Sequence, residues 1–168
     1  LCSNILIAAQ VEGGQYHREQ ATCSISDLVT QSVQAYQSRY PQRIAYTIAP
    51  HVQTQTDAML LQLVLHNVLE NAIKYTPADS LIQVVLQIQQ QRILIQVIDA
   101  GMGIADVEKK KIFDQFYRVG NENTRNAKGT GLGLYLSKKI MKHLKGNIVV
   151  KDNKPQGAIF EITLDRTT

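Results

Sequence analysis

The stretch Leu65-His-Asn-Val-Leu-Glu-Asn-Ala-Ile-Lys-Tyr-Thr-Pro77 restricts the fold more than any other part of the chain. Read at a helical period, it puts Asn67, Asn71 and Lys74 on one stripe, while Leu61, Leu65, Val68, Leu69, Ala72 and Ile73 cover the other side. A helix patterned this way packs against a core and leaves a polar line at the edge of a pocket. Asn71 offers a neutral oxygen, suited to a hard divalent cation that arrives already carrying phosphate charge. Lys74, one turn on, can meet a phosphate. Ordinary surface polarity on an amphipathic helix is the competing reading for this stretch taken alone.

Three later stretches bear on that choice: Asp99-Ala-Gly101-Met-Gly103-Ile104, Phe113-Asp-Gln-Phe116-Tyr117-Arg118, and Gly129-Thr130-Gly131-Leu132-Gly133-Leu134. An ionised Asp99 only accepts hydrogen bonds, so it can receive the exocyclic amine of adenine and repels the carbonyl oxygen of guanine. Gly101 and Gly103 lack a Cβ and let backbone approach a flat base, whose face Ile104 can cover. Tyr75 can lie against the ribose or base edge, or simply pack with its hydroxyl in water. Gly129, Gly131 and Gly133 precede a helical pattern, so their amides and the positive helix end can hold phosphate oxygens, with Lys128 and Thr130 to assist. Leu132 and Leu134, in register with that helix, distinguish the run from a flexible glycine linker. The spacing is not that of a dinucleotide site, and there is no Gly-Lys-Ser or Gly-Lys-Thr of a Walker loop. The His-Arg-Asp and Asp-Phe-Gly pair of eukaryotic-type protein kinases is also missing. Phe113, Phe116 and Tyr117 cluster directly before the most polar loop of the chain, as a hinge plug would.

In this order the four motifs resemble the catalytic, ATP-binding domain of sensor histidine kinases, a branch of the GHKL superfamily, with similarity running from about Ser24 to Leu164. The resemblance implies the Bergerat fold, an α/β two-layer sandwich with a mixed, largely antiparallel sheet packed on helices. It implies ATP with Mg2+ on Asn71, and a mobile lid at about 119–130 whose Arg118, Arg125 and Lys128 close on the triphosphate. The nucleotide-binding set it carries over is Asn67, Asn71, Lys74, Tyr75, Asp99, Gly101, Gly103, Ile104, Arg118, Lys128, Gly129, Thr130, Gly131, Leu132 and Gly133. The implied reaction moves the γ-phosphoryl group to a histidine on a dimerisation helix outside this sequence. Implied partners are those dimerisation and phospho-acceptor helices, a response-regulator receiver domain and a second copy of the full-length protein. In the related gyrase and mismatch-repair ATPases, a glutamate one turn before the Mg-binding Asn activates water. Here that position is Asn67, which cannot take a proton, so hydrolysis is expected to be slow. Glu70 lies about 100° round the helix from Asn71. The alternatives are a nucleotide-binding-deficient signalling scaffold and an anti-sigma-type serine kinase.

Taken in order, the chain opens on a helical pattern that Gly13-Gly14 stops. In sensor kinases a similar segment closes the second helix of the dimerisation hairpin, so residues 1–20 are expected to be its end plus a linker, and residues 21–168 the catalytic domain. Starting without Met, the chain is expected to be part of a longer protein. Ser26-Asp27 should cap a helix from Leu28 to Tyr40 that Pro41 stops, and Arg43 to Ile48 alternates as a strand. Thr56-Asp57 should cap the helix of the opening stretch. Leu81 to Gln89 and Arg92 to Asp99 should pair as an antiparallel hairpin, with Asp99 where the second strand runs out. A short helix near Asp106 to Lys111, a helix from Leu132 to Lys145 ended by Gly146, and strands Asn147 to Lys151 and Ala158 to Leu164 complete the order.

Composition adds a few exclusions. The net charge of +4 is dispersed, which suits a phosphate pocket and no nucleic acid. Two cysteines form no disulfide framework, and no run reaches the ~18 apolar residues of a membrane span. The expected location is the cytoplasm, with anchoring in an inner membrane left to other parts of the full-length protein. None of His17, His51, His66 and His143 is followed by Glu or Asp, the setting of a phospho-acceptor, so each is given a structural role.

Overall fold

The computed structural model describes residues 2–40, 43–120 and 129–167. Its main body is a five-stranded sheet of order β2-β4-β5-β7-β6, built from β2 (Ile44–Ile48), β4 (Ile82–Gln89), β5 (Arg92–Ile98), β7 (Ala158–Asp165) and β6 (Asn147–Asp152). Only β2 and β4 run parallel; the other neighbours are antiparallel. Alternation along the strands turns one face inward. Val84, Val97, Phe160 and Val150 stand side by side in register, as do Leu86, Ile95, Ile162 and Ile148 in the next row, and all eight are buried. Helices α2 (Ile25–Arg39), α3 (Ala58–Tyr75) and α4 (Gly133–His143) cover these rows. The result is the two-layer α/β sandwich with a mixed, largely antiparallel sheet that the resemblance implies.

Helix α3 buries the expected side, with Leu61, Leu65, Val68, Leu69 and Ala72 sealed in the core and Ile73 packed at its margin. Asp57 caps it, Oδ1 accepting from the amide of Leu60 at 3.1 Å. The other oxygen of Asp57 accepts from the Tyr16 hydroxyl and the Glu19 amide, each at 3.1 Å. The carboxylate is 1% exposed. Helix α1 (Cys2–Glu12) ends at the predicted glycines and lies against α4, where Glu12 meets Tyr135 and lies 3.5 Å from Lys139. No helix among the described residues is long and apolar enough to cross a membrane.

Several local expectations are corrected. Ser24, not Ser26, caps α2, accepting from the Asp27 amide at 3.3 Å. The chain enters this helix straight from a strand, so the last extended residue takes the cap. Ser26 is buried instead, donating to the Ala49 carbonyl at 2.7 Å and accepting from the Val52 amide at 2.9 Å. A second sheet, β1 (Ala21–Ser24) with β3 (Gln53–Thr56), has no counterpart in the sequence reading. Its Thr- and Gln-rich strands carry no apolar alternation. Residues 106–110 form turns, and the short helix predicted near Asp106 to Lys111 is a 3-10 helix shifted to Lys111–Phe113. This stretch lacks an apolar stripe, and Lys109 reaches Asp106 and Asp152 across it. At the end of α4 the left-handed residue is Lys145, with φ of 60°. Gly146 donates to the Met141 carbonyl at 2.8 Å. Pro41, the expected stop of α2, lies outside the described residues.

Candidate nucleotide-binding site

The site lies where the end of β5, the C-terminal turn of α3 and the N-terminus of α4 converge. Asp99 follows the last residue of β5 and is 6% exposed. Its Oδ1 accepts from the Gly101 amide at 2.9 Å and the Ala158 amide at 3.1 Å. Burial pushes its carboxyl above the usual carboxylate range, and these two amides pull only partly the other way. No described residue bonds Oδ2, which leaves one acceptor of fixed direction for a ligand.

Behind this carboxylate the backbone is crowded. Gly101 passes so near the end of α3 that a Cβ on it would lie 2.6 Å from the Tyr75 carbonyl. Gly103 turns beside Gly157, and Ile104 packs at the margin of the core. Arg43 holds the same end of α3, its guanidinium donating to the carbonyls of Thr76 at 2.5 Å, Pro77 at 3.2 Å and Ile73 at 3.3 Å. These bonds satisfy carbonyls that a helix C-terminus leaves open.

The side toward the glycine loop joins α3 to α4. Lys74 carries its ammonium to Gly129, where any side chain would collide with Nζ, and 5.1 Å from the centre of the Tyr75 ring. Asn71 is half-buried and makes no hydrogen bond among the described residues, so its oxygen is available. Asn67, expected on the same polar stripe, is 9% exposed and acts first as a strut. Its Nδ2 donates to the Gly133 carbonyl at 3.1 Å and to Ser137 Oγ at 3.2 Å, tying α3 to the first turn of α4. Leu132 opens α4 with no side-chain cap, which leaves first-turn amides for an anion. Gly131 has φ of 71°, and a Cβ there would lie 2.8 Å from the Phe116 carbonyl carbon. Gly129 and Thr130 are exposed.

The aromatic group divides. Phe113 and Tyr117 pack at the margin of the core. Phe116, with φ of 62°, is 64% exposed, its amide donating to the Gly131 carbonyl at 3.1 Å. It therefore braces the glycine loop through backbone rather than plugging a hinge. Arg118 is half-buried at the start of the predicted lid, whereas Arg125 and Lys128 lie outside the described residues. Glu70 faces α2, where Tyr36 donates to it at 3.0 Å beside His66, and so it turns away from Asn71. Among the described residues no cluster of His, Cys, Asp and Glu could hold a metal by itself.

Sequence reasoning missed Arg43, Ser137, Asn153 and Gly157. The turn composition of Asn153-Lys-Pro-Gln-Gly157 is visible in the sequence, but nothing there sets it against Asp99.

The sequence model of the family described as histidine kinase-, DNA gyrase B-, and HSP90-like ATPase matches residues 56–168. The sensor protein CiaH of Streptococcus pneumoniae serotype 4 is 43% identical over 126 residues, 75% of this chain and 27% of its own length. The adaptive-response sensory kinase SasA of Synechocystis is 31% identical over 169 residues, 98% of this chain and 44% of its own length. The chain thus spans under half the length of these curated relatives. Among solved structures, the mycobacterial sensor histidine kinase MprB superposes with a TM-score of 0.72 at 25% identity, covering 89% of this chain and 99% of that one. Full-length ShkA in complex with AMPPNP gives 0.81 at 23% identity, covering 99% and 35%, a likeness of fold. With the family model matching residues 56–168 and relatives named as sensor kinases, the chain belongs to the histidine kinase-, DNA gyrase B- and HSP90-like ATPases, on their sensor histidine kinase side.

Proposed function

We propose that this chain is the ATP-binding catalytic part of a two-component sensor kinase, and that it delivers the γ-phosphoryl group of ATP to a histidine nitrogen on a separate dimerisation helix. The observation that carries the reading is the buried Asp99, one oxygen fixed by two amides and the other open, one helix away from a glycine loop backed by Lys74. Asp99 Oδ2 accepts the 6-amino group of adenine, and Gly101, Gly103 and Ile104 line the base. The phosphates lie on the amides around Gly131 to Gly133, with Lys74, Thr130, Arg118 and Lys128 supplying positive charge or hydrogen bonds. Asn71 Oδ1 would hold Mg2+, which supplies charge neutralisation on the phosphate oxygens when bound. The histidine nitrogen forms the N–P bond as the bond to the β-phosphate oxygen breaks and ADP leaves. Among the described residues no general base faces this position: Asn67 cannot take a proton, and Glu70 is engaged with Tyr36. Slow hydrolysis in the absence of the acceptor follows.

On this reading residues 1–20 are the end of a dimerisation hairpin with its linker, residues 21–168 the catalytic unit and about 119–130 its lid. A receiver domain, a homodimer and a cytoplasmic site of action belong to the same proposal. Calorimetric titration with ATP and a non-hydrolysable analogue, with and without Mg2+, tests the pocket, and Asn71→Ala should lose chiefly the Mg2+ dependence. Incubation with a dimerisation hairpin bearing the acceptor should then give acid-labile phosphohistidine. A folded chain that binds no ATP refutes the enzyme and leaves a scaffold; phosphoserine on a partner protein would point to the serine kinase.

A further inference from the structure

Asp99 is held in place by a part of the chain that none of the nucleotide motifs includes. Strand β6 ends at Asp152, and the chain turns through residues 153–157 before β7 begins. From this turn the Asn153 side chain donates to the Asp99 carbonyl at 2.9 Å. The Asn153 amide donates to the Gly157 carbonyl at 3.0 Å, closing the turn on itself. Gly157, with φ of 118°, passes so close behind Asp99 that any Cβ would overlap its carbonyl oxygen. The first residue of β7 completes the set: Ala158 accepts from the Asp99 amide at 2.9 Å and donates to Oδ1 at 3.1 Å. One hairpin therefore grips the amide, the carbonyl and one carboxylate oxygen of Asp99. Of these, the carbonyl lies beyond the β5 ladder, and Asn153 is the side chain that reaches it.

We propose that Asn153 is a positioning residue for base recognition, fixing the backbone at the end of β5 so that Asp99 Oδ2 meets the 6-amino group of the purine. This rests on the adenine reading of the pocket and adds to it a determinant of base specificity 54 residues away in sequence. Without the Asn153 side-chain amide the Asp99 carbonyl loses its donor, the following peptide gains freedom to rotate, and Oδ2, still tethered through Gly101 and Ala158, is aimed less sharply. The triphosphate side, held by α3 and α4, keeps its geometry. Asn153 is only half-buried on a surface turn, so its removal leaves the core rows intact.

The test is calorimetric titration of the whole chain with ATP and with purine riboside triphosphate, which lacks the 6-amino group. Loss of one neutral hydrogen bond should weaken ATP binding in Asn153→Ala by about three- to tenfold, with purine riboside triphosphate unchanged. Asn153→Asp, which sets a carboxylate oxygen against the Asp99 carbonyl, should weaken ATP at least as much. Equal weakening of both ligands would reduce Asn153 to general structural support and overturn the proposal, as would unchanged ATP binding. Asp99→Asn in the same panel separates the two levels. If it leaves ATP binding intact, the adenine reading itself fails; if it weakens ATP while Asn153→Ala does not, only the role of Asn153 fails.

Discussion

Asp99→Asn should move stability and affinity in opposite directions. In the free protein the substitution keeps an oxygen where Gly101 and Ala158 donate, so both hydrogen bonds survive. What changes is Oδ2, which becomes an amide facing the pocket. For the fold this is a gain, because burial penalises the carboxylate and holds its proton above the usual range. A carboxyl with a raised folded pKa contributes stability that is fully present below its unfolded pKa and is lost as pH rises through the folded value. Relative to the variant, the wild type should therefore lose melting temperature as pH climbs from the ordinary carboxylate range through the raised one, and then level off. At neutral pH Asp99→Asn should melt no lower than the wild type. For the ligand the change is a loss: a charge-assisted hydrogen bond of about 1.5–3 kcal/mol becomes a donor facing the donor on adenine. That corresponds to about 10- to 150-fold in Kd for ATP. Thermal melting across pH and calorimetric titration with ATP measure the two halves. A variant that melts well below the wild type at neutral pH, or that binds ATP within about threefold of it, would refute the reasoning.

Two further changes probe the glycine loop and the cap of α3. Gly131→Ala should weaken ATP binding by at least about tenfold, since a left-handed alanine costs about 1–2 kcal/mol and its Cβ would displace the backbone at Phe116. Titration with ATP checks this, and retained affinity would mean that the loop does not hold phosphate. Tyr16→Phe removes a hydroxyl whose pKa is pushed up to about 12, by burial first and then by Asp57, and which therefore stays a donor to that carboxylate. Losing a hydrogen bond to a charged group should cost about 1.5–3 kcal/mol, or roughly 2–4 °C of melting temperature per kcal/mol; an unchanged melt would show that the Glu19 amide alone satisfies Asp57.

The periodic parts of this fold were legible in the sequence, and the parts that depend on distant partners were not. The buried side of α3 and the β4–β5 hairpin follow from spacing alone, and with them the placing of Asp99 where a strand runs out. Strands β1 and β3 escaped because Thr and Gln satisfy their ladder without an apolar face, so their period leaves no trace in hydropathy. Asn67 illustrates a subtler limit. Its stripe is correctly given by helical geometry, yet the stripe does not say that Gly133 and Ser137 stand opposite and take its amide hydrogens. Glu70 likewise reads as a neighbour of Asn71 until Tyr36 of α2 claims it. Arg43 and Asn153 serve residues 30 and more positions away, contacts that only the folded topology creates.

The two faces of the Asp57 carboxylate set a rule for shuffling. One oxygen starts α3, and the other is satisfied by residues that precede β1. A chimaera that joined this ATPase to a foreign sensor at residue 20 would keep every nucleotide motif. It would also bury a charged oxygen, 1% exposed in its parent, whose two donors had been left behind. The seam that inheritance or engineering can use without such a loss lies upstream of Tyr16, and a junction before Glu12 also carries along the contact with α4. Residues 16–20 therefore have to travel with the unit whose carboxylate they satisfy.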